Sequence, residues 1–216
     1  MTKRTMGLSR RKNDAYDTPE HAVWALLPHL QSNTKFAEPC AGNGQLIQHL
    51  TKFGHECVFN GDIQPRATGM YVTDACVNEI SFGQQCFITN PPWTRSLLHP
   101  IIVNLSDQAP VWLLFDADWM HTIQAMPYLE RCDLIVSVGR VKWFPESKHV
   151  GMDNCCWYRF DPRSRNAGRA PFVPRNSELE KALSLHKDMT LWQKIKTKWL
   201  TALSGKRTSK RQFSNT

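Results

Sequence analysis

The 216-residue chain holds no run approaching the roughly 18 consecutive apolar residues that a bilayer-spanning helix needs, so no membrane partner is expected. Its first residues are basic and carry no apolar leader core, which makes the cytoplasm the expected compartment. Seven cysteines, an odd number without a single Cys-x-x-Cys, exclude a disulfide scaffold and a zinc ribbon; the adjacent Cys155 and Cys156 fit neither. They are expected to be reduced side chains filling a core. Eight histidines are scattered without an H-x-x-x-H or a His–Cys grouping, so no metal site is expected. Gly-Lys-Ser/Thr is absent too, which removes the phosphate-binding loop of nucleotide hydrolases.

What is present is charge of one sign at both ends. The net charge is +8. Residues 1–13 contribute +5 through Lys3, Arg4, Arg10, Arg11 and Lys12, and residues 181–216 contribute +8, so the middle is mildly acidic. An acidic body with two basic arms fits a catalytic domain whose ends neutralise phosphates, which makes DNA the expected partner; solvated tails are the alternative.

Along the chain, short apolar runs alternate with helical patterns. Strands are expected at 35–39, 56–61, 87–89, 111–115, 133–138 and 155–160, with helices over 45–53 and 97–105 and another closing near 128–132. This predicts a doubly wound α/β domain over residues 14–161 with a mostly parallel sheet, preceded by a basic arm at 1–13. Residues 162–176 read as an irregular connection. From Ser177, with Glu180 completing a capping box, a basic helical tail is expected to run through 177–216. In that tail Trp192, Ile195, Trp199 and Leu203 form an apolar stripe that packs on the body or meets a partner.

Three groups of residues carry the chemistry. In Glu38-Pro39-Cys40-Ala41-Gly42-Asn43-Gly44, a strand ending in an acid breaks into a Gly-x-Gly turn before a helix, which suits a ligand crevice or simply a tight link. The missing third glycine argues against a dinucleotide, and the acid disfavours a phosphate; a cationic or zwitterionic nucleoside suits it better. Asp62, at the end of the next strand, is placed to accept hydrogen bonds from ribose hydroxyls or to cap the following turn. Asp74 is placed to reach a base amino group or to sit in a surface turn. Asp116 and Asp118, after the buried run at 111–115, suit a rim or capping role.

The third group is Asn90-Pro91-Pro92-Trp93, directly after a strand. Two prolines remove two backbone donors and stiffen the turn. What remains is an amide oxygen, a carbonyl and an indole. An amino group conjugated to a base is a poor nucleophile because its lone pair is delocalised. Two acceptors, the Asn90 side-chain oxygen and the Pro91 carbonyl, draw its hydrogens and free the lone pair, while Trp93 offers a flat face for the base.

These motifs, with Asp14-Ala15-Tyr16-Asp17-Thr18-Pro19 ahead of a helix, resemble the class I S-adenosylmethionine-dependent methyltransferases, and within them the phage-type DNA adenine-N6 enzymes. The resemblance covers about residues 14–161. It implies a Rossmann-like fold, S-adenosylmethionine as cofactor, and methyl transfer to the N6 amine of adenine in DNA. It places Tyr16, Thr18 and Pro19 against the methionine part of the cofactor, Glu38, Ala41 and Gly42 in the methionine and ribose pocket, and Asp62 on the ribose. Asp74 and Ala75 would lie near the cofactor adenine, and Asn90, Pro91, Pro92 and Trp93 would hold the target amine. The stretch 151–157 resembles the late loop and strand near the target base. Alternatives are methylation of RNA or protein glutamine, and a catalytically inactive nucleic-acid-binding module.

Overall fold

Eight strands form one sheet in the computed structural model, which describes residues 16–144 and 151–185. They are β1 (Lys35–Glu38), β2 (Glu56–Asp62), β3 (Tyr71–Val72), β4 (Cys86–Thr89), β5 (Val111–Asp116), β6 (Cys132–Arg140), β7 (Asn154–Phe160) and β8 (Phe172–Val173). Their spatial order is β3-β2-β1-β4-β5-β7-β6-β8. Only β7 runs against its neighbours β5 and β6; every other pairing is parallel. The sheet is therefore mostly parallel, as expected from the alternation in the sequence.

The helices are α1 (Glu20–Trp24), α2 (Gln45–Lys52), α3 (Arg95–Gln108), α4 (Met126–Leu129) and α5 (Ser177–Leu185). They are needed on both faces because β5 is apolar at five consecutive positions. Trp112 and Leu114 enter one core with α1, α2 and α5, while Val111, Leu113 and Phe115 enter the other with Leu98, Ile101, Ile102 and Leu105 of α3. A strand buried on both sides reads as a continuous apolar run, not an alternating one. Trp157 of β7 is fully buried and donates its indole N–H to the Ala22 carbonyl at 2.8 Å, locking α1 onto the sheet. The late stretch near 157 is thus core at its tryptophan.

Several elements differ from their sequence expectation. The helix expected to close over 128–132 stops at Leu129, because Cys132 is drawn into the β6–β7 ladder opposite Phe160. Phe172 and Val173, inside the stretch expected to be irregular, pair with Ile135 and Val136 as an edge strand. Helix α5 does start at Ser177, but Asn176 caps it: its side-chain oxygen accepts from the N–H groups of Glu178 and Leu179 at 3.1 and 3.0 Å. Glu180 is turned instead to the Arg175 guanidinium, which donates to both carboxylate oxygens. The arm at 1–13 and the stripe of Trp192, Ile195, Trp199 and Leu203 lie outside the described residues. No helix among the described residues is long and apolar enough to cross a membrane.

The chain winds outward from β1 to β3, then returns to β4 on the other side of β1 and winds the opposite way. Connections leaving β1 and β4 diverge, which opens a crevice at the carboxyl ends of these two neighbours. Glu38 ends β1, and Asn90 follows β4 by one residue.

Candidate active site

The turn after β1 is built by its glycines. Gly42 and Gly44 have φ of +57° and +81°, a region costly for any residue with a Cβ, and Gly44 is the N-cap of α2. The Ala41 N–H donates to the Gly61 carbonyl at 2.8 Å, joining the turn to β2. Asp62 closes it: Oδ2 accepts from the Gly42 N–H at 2.8 Å and Oδ1 from the Gln64 N–H at 2.8 Å. Each oxygen has a second lone pair to give a ligand. The carboxylate therefore holds two loops together at the mouth of the crevice, as well as facing it.

A cavity of about 520 Å³ occupies the crevice, within the usual range for sites that bury a small organic ligand. Asp62, Ile63, Gln64, Thr73, Asp74, Ala75 and Cys76 form its β2–β3 side, Pro39 and Cys40 its floor, and Asn90, Pro92, Leu97 and Ile101 its β4–α3 side. Asp74 is held by its own turn, its Oδ1 accepting from the Cys76 N–H at 2.9 Å. A recess of only about 20 Å³ adjoins it, lined by Tyr16, Asp17, Thr18, Glu38, Ala41 and Gly42 among others. Cys40, Arg66 and Asn90 line both spaces and mark the border between them.

Glu38 is 2% exposed, and its Oε2 has no hydrogen-bond partner among the described residues. Burial, and secondarily the negative Asp62 nearby, push its carboxyl well above the usual range. A buried carboxyl with an orphaned oxygen is costly unless something pairs with it. A positively charged or N–H-bearing group entering the recess would supply that partner.

Asn90 sits between this recess and the larger cavity. Its amide nitrogen donates to the Tyr16 carbonyl at 3.1 Å, and its Oδ1 receives a long bond of 3.4 Å from the Trp93 indole N–H. Because a carbonyl only accepts, the contact with Tyr16 fixes the amide orientation and presents Oδ1, not the amine, on the other side. Trp93 packs edge-on against Trp143 with ring centroids 5.7 Å apart, and Trp143 in turn meets Tyr16 at 6.1 Å. Phe144 lies T-shaped to Tyr16 at 5.8 Å. Four rings thus form a connected set that begins at Trp93 of the Asn90 turn. Gly151 packs so closely on Trp143 that a Cβ there would come 3.2 Å from the indole and 2.7 Å from the Val141 carbonyl.

Of the residues singled out from sequence, Asn90, Pro92, Asp62, Asp74 and Ala75 line the large cavity, and Tyr16, Thr18, Glu38, Ala41, Gly42 and again Asn90 line the recess. Pro19, Pro91 and Trp93 line neither: Pro19 is the N-cap of α1, Pro91 is buried in the turn, and Trp93 packs against the cores. Asp116 accepts from the Asp118 N–H at 3.0 Å, a capping contact away from both spaces. Sequence reasoning passed over Arg66, Ile63, Gln64 and Trp143. The first three follow β2 at its carboxyl end, a position that could have flagged them; Trp143 becomes visible only once β6 is placed beside β7. No group of three or more potential metal ligands occurs among the described residues.

No family model matches the sequence, and no curated protein matches it. Solved structures do resemble it. A provisionally assigned RNA methyltransferase from Pyrococcus horikoshii aligns with 72% of this chain and 92% of its own, at 15% identity and a TM-score of 0.51. The methyltransferase subunit of a type I restriction-modification system from Streptococcus thermophilus aligns with 84% of this chain at 9% identity and a TM-score of 0.53, and this chain spans about half (55%) of that one. A provisionally assigned class I S-adenosylmethionine-dependent methyltransferase from Listeria monocytogenes aligns with 77% of this chain and 67% of its own, at 10% identity and a TM-score of 0.50. At such identities the likeness is one of architecture, and what it establishes is that this chain has the Rossmann-like α/β fold of those methyltransferases.

Proposed function

We propose that the protein transfers a methyl group from S-adenosylmethionine to the exocyclic N6 amine of adenine in DNA. The observation that carries this reading is the position of Asn90 on the border between the cavity and the recess, with its amide nitrogen committed to the Tyr16 carbonyl and its Oδ1 in a long bond of 3.4 Å from the Trp93 indole N–H.

The crevice suits the cofactor on its own chemistry. The cavity of about 520 Å³ has room for an adenosine, with Asp62 for the ribose and Asp74 and Ala75 beside the base. The orphaned Glu38 oxygen and the glycine turn await a charged, polar tail in the recess. S-adenosylmethionine, when bound, supplies an electrophilic methyl group on a sulfonium.

The chain's own residues prepare the acceptor. Asn90 Oδ1 and the Pro91 carbonyl accept the two hydrogens of a planar amine, pulling the nitrogen toward a tetrahedral shape and freeing its lone pair. Trp93, with Trp143 against it, offers aromatic surface for the base. No strong base is required before transfer, because the amine proton leaves after the N–C bond has formed. Catalysis then rests on positioning and on hydrogen bonds matched to the reacting nitrogen. In duplex DNA the adenine must swing out of the stack to reach this turn.

DNA is favoured over protein by the positive charge at the two ends of the chain, +5 over residues 1–13 and +8 over residues 181–216. The test is incubation of the purified chain with methyl-labelled S-adenosylmethionine and separate DNA, RNA and protein pools. Label in DNA recovered as N6-methyladenine supports the reading. Label confined to RNA or to glutamine replaces the substrate, and no label in any pool together with intact nucleic-acid binding would make the protein an inactive binding module.

A further inference from the structure

Arg66 stands at the junction of the two spaces and is absent from every motif that pointed to the site. Its backbone N–H donates to the Gly42 carbonyl at 2.9 Å, so the loop after β2 is laid along the glycine turn. Its guanidinium lies across Gly42: a Cβ there would come 2.6 Å from Nη2, so a side chain at this position would push the guanidinium off the turn. The same Nη2 forms an ion pair with Asp17 Oδ1, 49 residues earlier in the chain. Both partners line the recess, and both are partly open to solvent, at 36% and 26% side-chain exposure.

With the pair formed, the recess measures about 20 Å³, room for about one water and far too little for an amino-acid group. Yet the pair offers a cation and an anion side by side, which is the complement of a zwitterion. We propose that the Arg66–Asp17 pair is a receptor for a free α-amino-acid end of the ligand: the ligand's α-carboxylate takes the Arg66 guanidinium from Asp17, and its α-ammonium takes the Asp17 carboxylate. One internal ion pair is exchanged for two intermolecular ones, and the recess enlarges as Asp17 withdraws. Exposed ion pairs hold together weakly, so the exchange is cheap, whereas a carboxylate on a guanidinium fork inside a closed crevice is held more strongly. Arg66 is then the specificity-determining residue that separates a nucleoside carrying an amino-acid tail from one without it. This assignment rests on the methyltransferase reading for the identity of the nucleoside.

The test is calorimetric and needs no turnover. S-adenosylhomocysteine carries the amino-acid end, 5′-methylthioadenosine lacks it, and the des-amino analogue of S-adenosylhomocysteine keeps only the carboxylate. All three are titrated into the full chain, into Arg66→Ala and into Asp17→Asn. The expected result is that Arg66→Ala weakens S-adenosylhomocysteine about 10- to 100-fold while 5′-methylthioadenosine stays within about twofold. Asp17→Asn, which removes the competing carboxylate, should tighten the des-amino analogue. Equal losses for both nucleosides in Arg66→Ala would mean that Arg66 only shapes the loop, and unchanged affinities would mean that it touches neither; either overturns the proposal and leaves the methyltransferase reading intact. If the unaltered chain binds none of the three, both fall.

Discussion

The side-chain amide of Asn90 donates to the backbone carbonyl of Tyr16 at 3.1 Å, across 74 residues of chain. That bond joins the segment ahead of α1, which walls the recess, to the turn after β4, whose Asn90 lines both the recess and the cavity. It also explains why an amide suits this position: a carboxylate could offer an acceptor oxygen but could not donate to Tyr16. Asn90→Asp is accordingly expected to lower kcat by about tenfold or more, since it sets two oxygens against each other. Steady-state kinetics over pH 6–9 check this, and a parental kcat would show that the Tyr16 contact does not matter to transfer.

Asp62 has two backbone amides on its carboxylate, from Gly42 and Gln64. Asp62→Ala should therefore weaken cofactor affinity by about 1–3 kcal/mol and lower Tm as well, because both loops lose their tie. Calorimetry with S-adenosylhomocysteine and a thermal melt measure the two effects together. Affinity loss without a change in Tm would limit Asp62 to ligand contact.

Gly42→Ala tests the glycine turn. The left-handed φ of +57° and the 2.6 Å approach of Arg66 to the new Cβ predict a cost of about 1–2 kcal/mol in stability and a clear loss of nucleoside binding. Denaturant unfolding with an unchanged m-value provides the number. A neutral substitution would mean that the turn re-forms with Arg66 elsewhere.

Two groups, the partly buried His29 and the buried Glu38, give the stability a pH dependence of opposite sign. His29 is held down at about 4 by burial, with the Arg159 charge adding to it, so the unfolded chain takes up this proton first as the pH falls through the usual 6.5. Stability from this group is present above pH 6.5 and is lost on descending toward pH 4, by about 3 kcal/mol at most. Glu38 works the other way: its raised pKa means the folded state keeps a proton that the unfolded chain releases above about 4.5, so its stability contribution falls as the pH rises. Melts across pH 4–9 should show a flattened acid limb in His29→Gln and a higher neutral-pH Tm in Glu38→Gln. Parallel curves for all three proteins would contradict both assignments.

The parts of this molecule that could be read from sequence are those fixed by local chemistry. The apolar run 111–115 announced a strand buried on both faces, and the Gly42–Gly44 turn and the Asn90–Trp93 turn announced the ends of β1 and β4. Their adjacency follows from the sheet order alone, so the meeting of Glu38 and Asn90 at one crevice was foreseeable once a doubly wound sheet was assumed. Arg66, Trp143 and the Asn176 cap were not foreseeable in the same way. Arg66 gains its place from a bare glycine 24 residues earlier, Trp143 from a hairpin that closes at Val141 and Gly151, and Asn176 outcompeted a neighbouring capping box because Arg175 drew Glu180 away. Each depends on a partner distant in sequence or on a competition between neighbours, and local pattern carries neither.

The central claim is that Asn90 presents the acceptor amine for methylation. Its most direct test is mass spectrometry of nucleosides from the DNA of cells expressing the intact chain or Asn90→Ala, with binding of S-adenosylhomocysteine measured on both purified proteins. The account predicts N6-methyladenine with the intact chain, a loss of at least about 100-fold in the variant, and nucleoside affinity within about threefold between the two. Undiminished N6-methyladenine from Asn90→Ala, with the variant folded and binding normally, would contradict it.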